Sequence, residues 1–371
     1  MVEKPGPVAD QRLPITAPLP HTRAMIRGLS RTKAVMLALA ILAALGWSLT
    51  IRPPAPTPAA ASAQPYSDVR LHQDIAARVA AGENYYSAAT ALQRMHDYPT
   101  RPFVTVRPPT LALAAAWTGW PALQIVQVAL LFLSIVLWFA RLETLVPLAT
   151  RAAVAACLLV GGAAVANLGL ATQHELWAGL LLSCALALRL GGQWRLSLLA
   201  VAAALAFREL AMPFALLAAL YALIAGQRRE LAAWLALIAG TCALLAVHAA
   251  LVAQYVLPTD LASQGWSEHR GPAAPLRDLA DVTVLHLLPV PWSYAAALLA
   301  LFGWLAAPPR LARFAVPLFA GYFVLLAVFA REQNFYWALL IAPALVAGLA
   351  FVPRLTRDLA HALLAERRAA L

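Results

Sequence analysis

From Tyr66 to Pro109 the chain reads YSDVRLHQDIAARVAAGENYYSAATALQRMHDYPTRPFVTVRPP, its longest polar stretch, and nearly everything on either side is apolar. Backbone surrounded by lipid must satisfy its own polar groups as helix, so a long polar stretch lies outside the bilayer or lines a cavity. A membrane protein with one sizeable polar segment beside its first span is expected to do its chemistry or its binding there. The reading of this stretch decides the fold: a helical membrane bundle carrying a structured loop.

Composition agrees. Of 371 residues, 62% are hydrophobic and only 12% charged, and mean hydropathy is +0.72. Soluble domains carry roughly 25% charged residues, so one soluble core is excluded. The formal charge of +11 is almost wholly arginine, since Lys4 and Lys33 are the only lysines. Those arginines fall in short connections between apolar runs, the pattern of topology signals and not of a nucleic-acid surface. Cys157, Cys184 and Cys242 each stand alone in an apolar run; that spacing argues against a disulfide framework or a zinc site and reads as three small buried hydrophobes.

Working outward, residues 1–33 read as a disordered cytoplasmic tail ahead of a first span at 34–51, with Arg23, Arg27, Arg31 and Lys33 holding the N-terminus inside. A cleaved signal peptide ending near Ala59–Ala63 is the rival, but the apolar run lies far from the N-terminus, which favours an uncleaved anchor. A Pro/Ala linker at 53–65 leads into the loop 52–109. Thr110–Trp120 is too short to cross and belongs in the interface. Residues 110–353 form a multi-span domain with spans expected at 121–140, 152–171, 175–190, 231–257, 289–307, 314–330 and 335–353. The run 196–226, interrupted by Arg208-Glu209 and Pro213, reads as two short helices meeting at that charged point. The result is an all-α polytopic membrane protein of about ten crossing helices. Arg141, Arg151, Arg189, Arg195, Arg228, Arg229, Arg310, Arg313, Arg354 and Arg357 then fall on the cytoplasmic side, with a basic C-terminal tail at 354–371. The loop 52–109, a second loop at 258–289 and the turn Arg331–Tyr336 meet on the outer face.

Within the first loop, Ser67 is placed to cap a helix that Asp68 opens and Gly82 stops. Leu71, Ile75 and Val79 share one stripe of that helix, and Asp68 and His72 fall on or beside it. An acid on the apolar face of a helix near a bilayer needs a partner or a task. Asp74 faces the other way, between Arg70 and Arg78, as a solvated ion-pair ladder does.

These residues carry a resemblance. An apolar anchor, then SDVRLHQDIAARVAAGENYY, then RPFVTVRPPTLALAAAW resembles the first outer loop of the GT-C fold glycosyltransferases. Those polytopic enzymes use polyprenyl-phosphate sugars and include the bacterial lipid A aminoarabinose transferases and protein O-mannosyltransferases. The likeness covers about the first 140 residues and extends beyond them by topology only. Asp68 matches the family's catalytic or metal-linked acid, Gly82-Glu83-Asn84-Tyr85 the second stretch, and Arg107-Pro108-Pro109 the last. Two positions depart: Val69 stands where a second acid is common, and Arg107 where lysine is.

The resemblance implies an inverting glycosyltransferase in a bacterial-type plasma membrane, both termini cytoplasmic. It would move a sugar from a polyprenyl-phosphate donor to a lipid, glycan or protein acceptor on the outer face. Such transfer needs a base for the acceptor hydroxyl, the role of Asp68, and arginines for the leaving phosphate. Arg107, Arg208 and Arg331 are the phosphate candidates, with Arg94, Arg101 and Arg270 behind them; Arg208-Glu209 stands out because charge inside a span is expensive. His72, Glu83, Tyr85, Glu209, Trp266, His269 and Tyr336 are the substrate candidates, and His174-Glu175 lies at another outer turn. A divalent Mg or Mn ion would suit the departing phosphate, though no ligand cluster is evident in the sequence. Two rivals stay open. A transporter or flippase would show paired broken helices, and only the break at Arg208 is convincing; Val69 leaves room for a non-catalytic assembly subunit.

Overall fold

The computed structural model describes residue 26 and residues 28–52 and 66–364. Most of the expected tail, with Arg23 and Arg27, the linker 53–65 with its Ala59–Ala63 site, and residues 365–371 lie outside the described residues.

Every regular element among the described residues is helical. In chain order they are α1 (Arg31–Thr50), α2 (Asp68–Ala80), α3 (Tyr85–Met95), α4 (Thr110–Thr118), α5 (Trp120–Arg141), α6 (Leu148–Gly162), α7 (His174–Leu190), α8 (Trp194–Phe207), α9 (Met212–Ile224), α10 (Arg228–Ala253), α11 (Ala274–Asp281), α12 (Val290–Gly303), α13 (Pro309–Val328), α14 (Ala342–Leu345) and α15 (Val352–Leu364). Five helices are long and apolar enough to cross a membrane: α1, α5, α6 with its short 3₁₀ extension, α10 and α13. A sixth arises if Glu332–Leu340 and Ala342–Leu364, bent by 58°, form one span.

The long helices bury one stripe and leave the rest apolar and open. On α10 the buried set is Glu230, Trp234, Thr241, His248 and Val252, while Leu235, Leu244 and Val247 are exposed. Met36, Leu39 and Leu42 of α1 and Ile125, Phe132 and Val136 of α5 are exposed in the same way. Apolar surface on that scale is stable against lipid and not against water, so the chain is an integral membrane protein. Cys242, off the buried stripe of α10, belongs to this open surface, Cys157 is half-buried and only Cys184 is buried, which corrects the expectation that all three cysteines are buried.

Other expectations change in detail. The expected span 175–190 is the 17-residue α7, buried along nearly its whole length in the centre of the bundle. α12 is only 14 residues long. The expected span 335–353 is built from a 3₁₀ segment, the short α14, a second 3₁₀ segment and the start of α15. Pro343 in this stretch has no N–H to continue an α-helix. The segment threads between helices at glycines. A Cβ on Gly179 of α7 would overlap the Leu339 carbonyl, and one on Gly303 of α12 the Gly348 carbonyl. The break at Arg208 is as expected: Arg208 is extended, Glu209–Ala211 forms one 3₁₀ turn, and Pro213 sits in the first turn of α9.

The polar stretch folds as expected at its start. Ser67 Oγ accepts the Arg70 N–H at 3.3 Å, Leu71, Ile75 and Ala76 are buried, and the left-handed Gly82 follows the helix end. Asn84 then caps α3 by accepting the Tyr86 and Ser87 N–H groups at 2.9 and 3.4 Å. Leu71, Ile75, Tyr85, Ala89, Leu92, Val106 and Ala112 share a small core with Val252 of α10. His248 extends that seam, its ring nitrogens 3.2 Å from Tyr86 Oη and 2.9 Å from the Val106 carbonyl.

Candidate functional site

Two cavities meet at the N-terminus of α2. The first, about 260 Å³, has a mixed polar wall: Asp68, His72, Tyr85, Asp97, Tyr98 and Arg107 from the first loop, Trp266 from the second, and Arg331, Asn334 and Trp337 from the last turn. The second, about 590 Å³, is mainly apolar, lined by Val69, Ala163, Ala164, Leu170, Val282, Phe335 and Leu339. Asp68, Gln333 and Tyr336 belong to both walls. The three polar connections singled out in the sequence thus converge on one site.

Cross-loop bonds hold them there. Arg94 forms a two-pronged ion pair with the buried Asp260, its Nη2 at 2.9 Å from Oδ2. That hydrogen bond holds the Asp260 carboxyl well below the usual range. Arg101 donates to the Asp260 carbonyl, and the Thr100 N–H reaches the Leu261 carbonyl at 3.1 Å. Arg270 grips Asp278 of α11 at 2.8 and 2.7 Å. The Glu332 N–H donates to Glu268 at 3.1 Å. Arg94, Arg101 and Arg270, phosphate candidates by sequence, line neither cavity and act as braces.

Beneath the polar cavity lies a buried charge cluster. Arg208, 2% exposed, donates from Nε to Glu175 at 2.6 Å and from Nη1 to Glu209, and its guanidinium lies 5.7 Å from the Trp337 ring centre. Glu175 also stands 3.7 Å from Arg107. Arg107 donates to Tyr336 Oη at 3.1 Å, and its carbonyl accepts from Tyr85 Oη at 2.5 Å. A third cavity of about 280 Å³, lined by Arg107, Arg208, Glu209, Trp266 and Trp337, opens on the other side of this cluster. Glu175 is therefore shared between a sequestered arginine and one that faces the cavities.

Around Asp68 the groups are largely desolvated. Burial pushes the Tyr98 phenol upward, with the Asp68 charge and hydrogen bond adding to it. Burial pushes His72 down to about 4 against the opposing pull of Asp68, so the imidazole is neutral at pH 7; its ring meets His174 edge-on at 5.0 Å. Tyr85 is likewise raised by burial.

Of the residues expected to bind or react, Asp68, His72, Tyr85, Arg107, Trp266, Arg331 and Tyr336 line the polar cavity, and Arg208 and Glu209 the third. Glu83 and His269 are not brought there. Glu83 accepts from Ser87 Oγ at 2.9 Å and faces Arg78 at 3.8 Å; His269 is exposed, its backbone bonded to the Val328 carbonyl. The sequence reading did not single out Asp97 or Tyr98, and it gave Asn334 and Trp337 no role beyond their place in the last outer turn. Asn334 donates to Tyr336 Oη at 3.3 Å and accepts from Arg331, and the buried Trp337 N–H has no partner among the described residues. Asp97, left-handed at φ 59°, is the one carboxylate besides Asp68 on the polar wall; its place in a D-Y-P turn was the available signal. Among the described residues no three His, Cys, Asp or Glu side chains converge as a metal-ligand set. No protein family, curated protein or solved structure matches the chain.

Proposed function

We propose that this chain is an integral-membrane glycosyltransferase of the GT-C type, moving a sugar from a polyprenyl-phosphate donor to a hydroxyl of a lipid, glycan or protein. The observation that carries the reading is the shared wall: Asp68 and Tyr336 border both a mainly apolar cavity and a polar one. A donor with a long apolar tail, a phosphate and a sugar matches that sequence of environments, with its phosphate at the wall. Arg107 and Arg331 stand there to meet it, and arginine suits a phosphate's geometry.

In this reading the Asp68 carboxylate takes the acceptor hydroxyl's proton as that oxygen bonds to the anomeric carbon. The bond from that carbon to the phosphate oxygen breaks, and its electron pair leaves on the polyprenyl phosphate. Attack opposite the leaving group inverts the anomeric centre. Arg107 and Arg331 balance the charge that develops on the phosphate. Arg208, held by two carboxylates, is a positioning residue that fixes Glu175 and through it Arg107. About ten crossings, with this site outside and the arginine-rich helix ends inside, complete the reading; the arginine distribution supports it.

The test is transfer and donor binding by purified protein with a panel of labelled polyprenyl-phosphate sugars. Asp68→Asn is expected to lower transfer by about 10²–10⁴-fold, the usual worth of a positioned general base, while retaining donor binding. Folded wild-type protein that binds a donor yet transfers none of the panel's sugars would overturn the transferase reading.

A further inference from the structure

A cavity larger than these three lies away from this site. It lies at the other end of α5, α7 and α13, measures about 680 Å³, and is lined by Arg141, Arg189, Arg310 and Arg313 against a single carboxylate, Glu230. The separation is long. Trp120 at the start of α5 borders the His72 region, and Arg141 closes the same 22-residue helix, about 30 Å away at 1.5 Å per residue.

The charge there is unbalanced. Glu230 is spent on Arg189 at 2.7 Å, and among the described residues no carboxylate pairs with Arg141, Arg310 or Arg313. Arg141 Nε is buried without a hydrogen-bond partner among the described residues. Its side chain is laid against the backbone at Gly191, where a Cβ would come within 2.7 Å of Cδ and 2.8 Å of Nε. The guanidinium is thus held in place with a donor unused. Arg310 rides the first turn of α13 and Arg313 lies just beyond it, where the helix dipole is positive and repels them unless an anion is present. A buried unpartnered donor, unpaired cations and a helix N-terminus facing one cavity make an anion site.

We propose that this cavity binds a phosphate group, presented by the headgroup of an anionic phospholipid or by a soluble phosphate compound. Basic pockets between membrane helices take headgroups of this kind. The proposal does not rest on the transferase reading, and its readout is binding alone. Full-length protein in detergent is titrated with phosphatidylglycerol, phosphatidylcholine and inorganic pyrophosphate at constant ionic strength, followed by native mass spectrometry and thermal melting. Phosphatidylglycerol is expected to be retained and to raise the melting temperature where phosphatidylcholine does not, and Arg141→Gln and the exposed Arg310→Gln should each weaken it by about fivefold. Stabilisation by pyrophosphate alone, lost in the same variants, assigns the site to a soluble phosphate compound and supports the proposal. Equal response to all three additives, or wild-type response in both variants, overturns it.

Discussion

The two ends of this bundle both gather arginine, and they use it in opposite ways. At the Asp68 end, Arg94, Arg208 and Arg270 each meet a buried or half-buried carboxylate at hydrogen-bond distance. At the Arg141 end, four arginines line a cavity whose one carboxylate, Glu230, pairs with Arg189 alone. A paired buried arginine is structural cement whose loss exposes its partner. An unpaired one on a cavity wall is free to take a ligand. Arg107 lies between these cases, since Glu175 is 3.7 Å away yet the side chain opens on two cavities.

That contrast breaks if the paired charges prove dispensable. The largest stability effect is expected from Glu175→Gln, which takes a carboxylate from the 2% exposed Arg208. It should cost about 3 kcal/mol, read by denaturant unfolding in detergent, whereas Arg310→Gln at the other end should leave stability unchanged. Asp260→Ala is expected to cost about 2 kcal/mol through the lost bonds to Arg94, and to loosen the second loop, read as faster amide exchange around residues 258–263. A pH titration sharpens the picture of the desolvated wall. His72 sits near 4 against an ordinary 6.5, so between those values the unfolded chain binds a proton that the folded protein excludes. Stability should therefore fall as pH drops from 6.5 towards 4, and His72→Asn should flatten that slope in thermal melts. The smallest effect is expected for Asp74→Asn on the open face of α2, within about 1 kcal/mol, because its partner Arg70 is largely exposed and an amide still accepts from Tyr66.

The local part of this architecture was legible because it is written in neighbouring residues. Ser67, Asp68 and Gly82 mark the ends of α2, and a 3.6-residue period places Leu71, Ile75, Asp68 and His72 along one side. Arg208 beside Pro213 announced a broken helix. What stayed hidden depends on partners distant in the chain. Nothing around Arg208 points to Glu175, 33 residues earlier, and nothing around Arg94 points to Asp260, 166 residues on. Arg208 was seen as costly inside a span and Arg94 as a phosphate candidate; a carboxylate of the same chain meets each of them. The bend in the last span was out of reach for a related reason. Apolarity fixes that a segment is buried, while the bend at Pro343 follows from backbone chemistry that hydropathy does not register.

The glycine contact at Gly179 has a mechanical consequence. α7 carries Glu175, which anchors Arg107 on one wall of the polar cavity, and one turn further along it carries the bare backbone on which Leu339 rests. Leu339 closes the segment that begins with Arg331, Asn334 and Tyr336, the facing wall. Both jaws of the cavity are therefore mounted on a single helix. The position of one relative to the other is set by α7 as well as by the Arg107–Tyr336 bond.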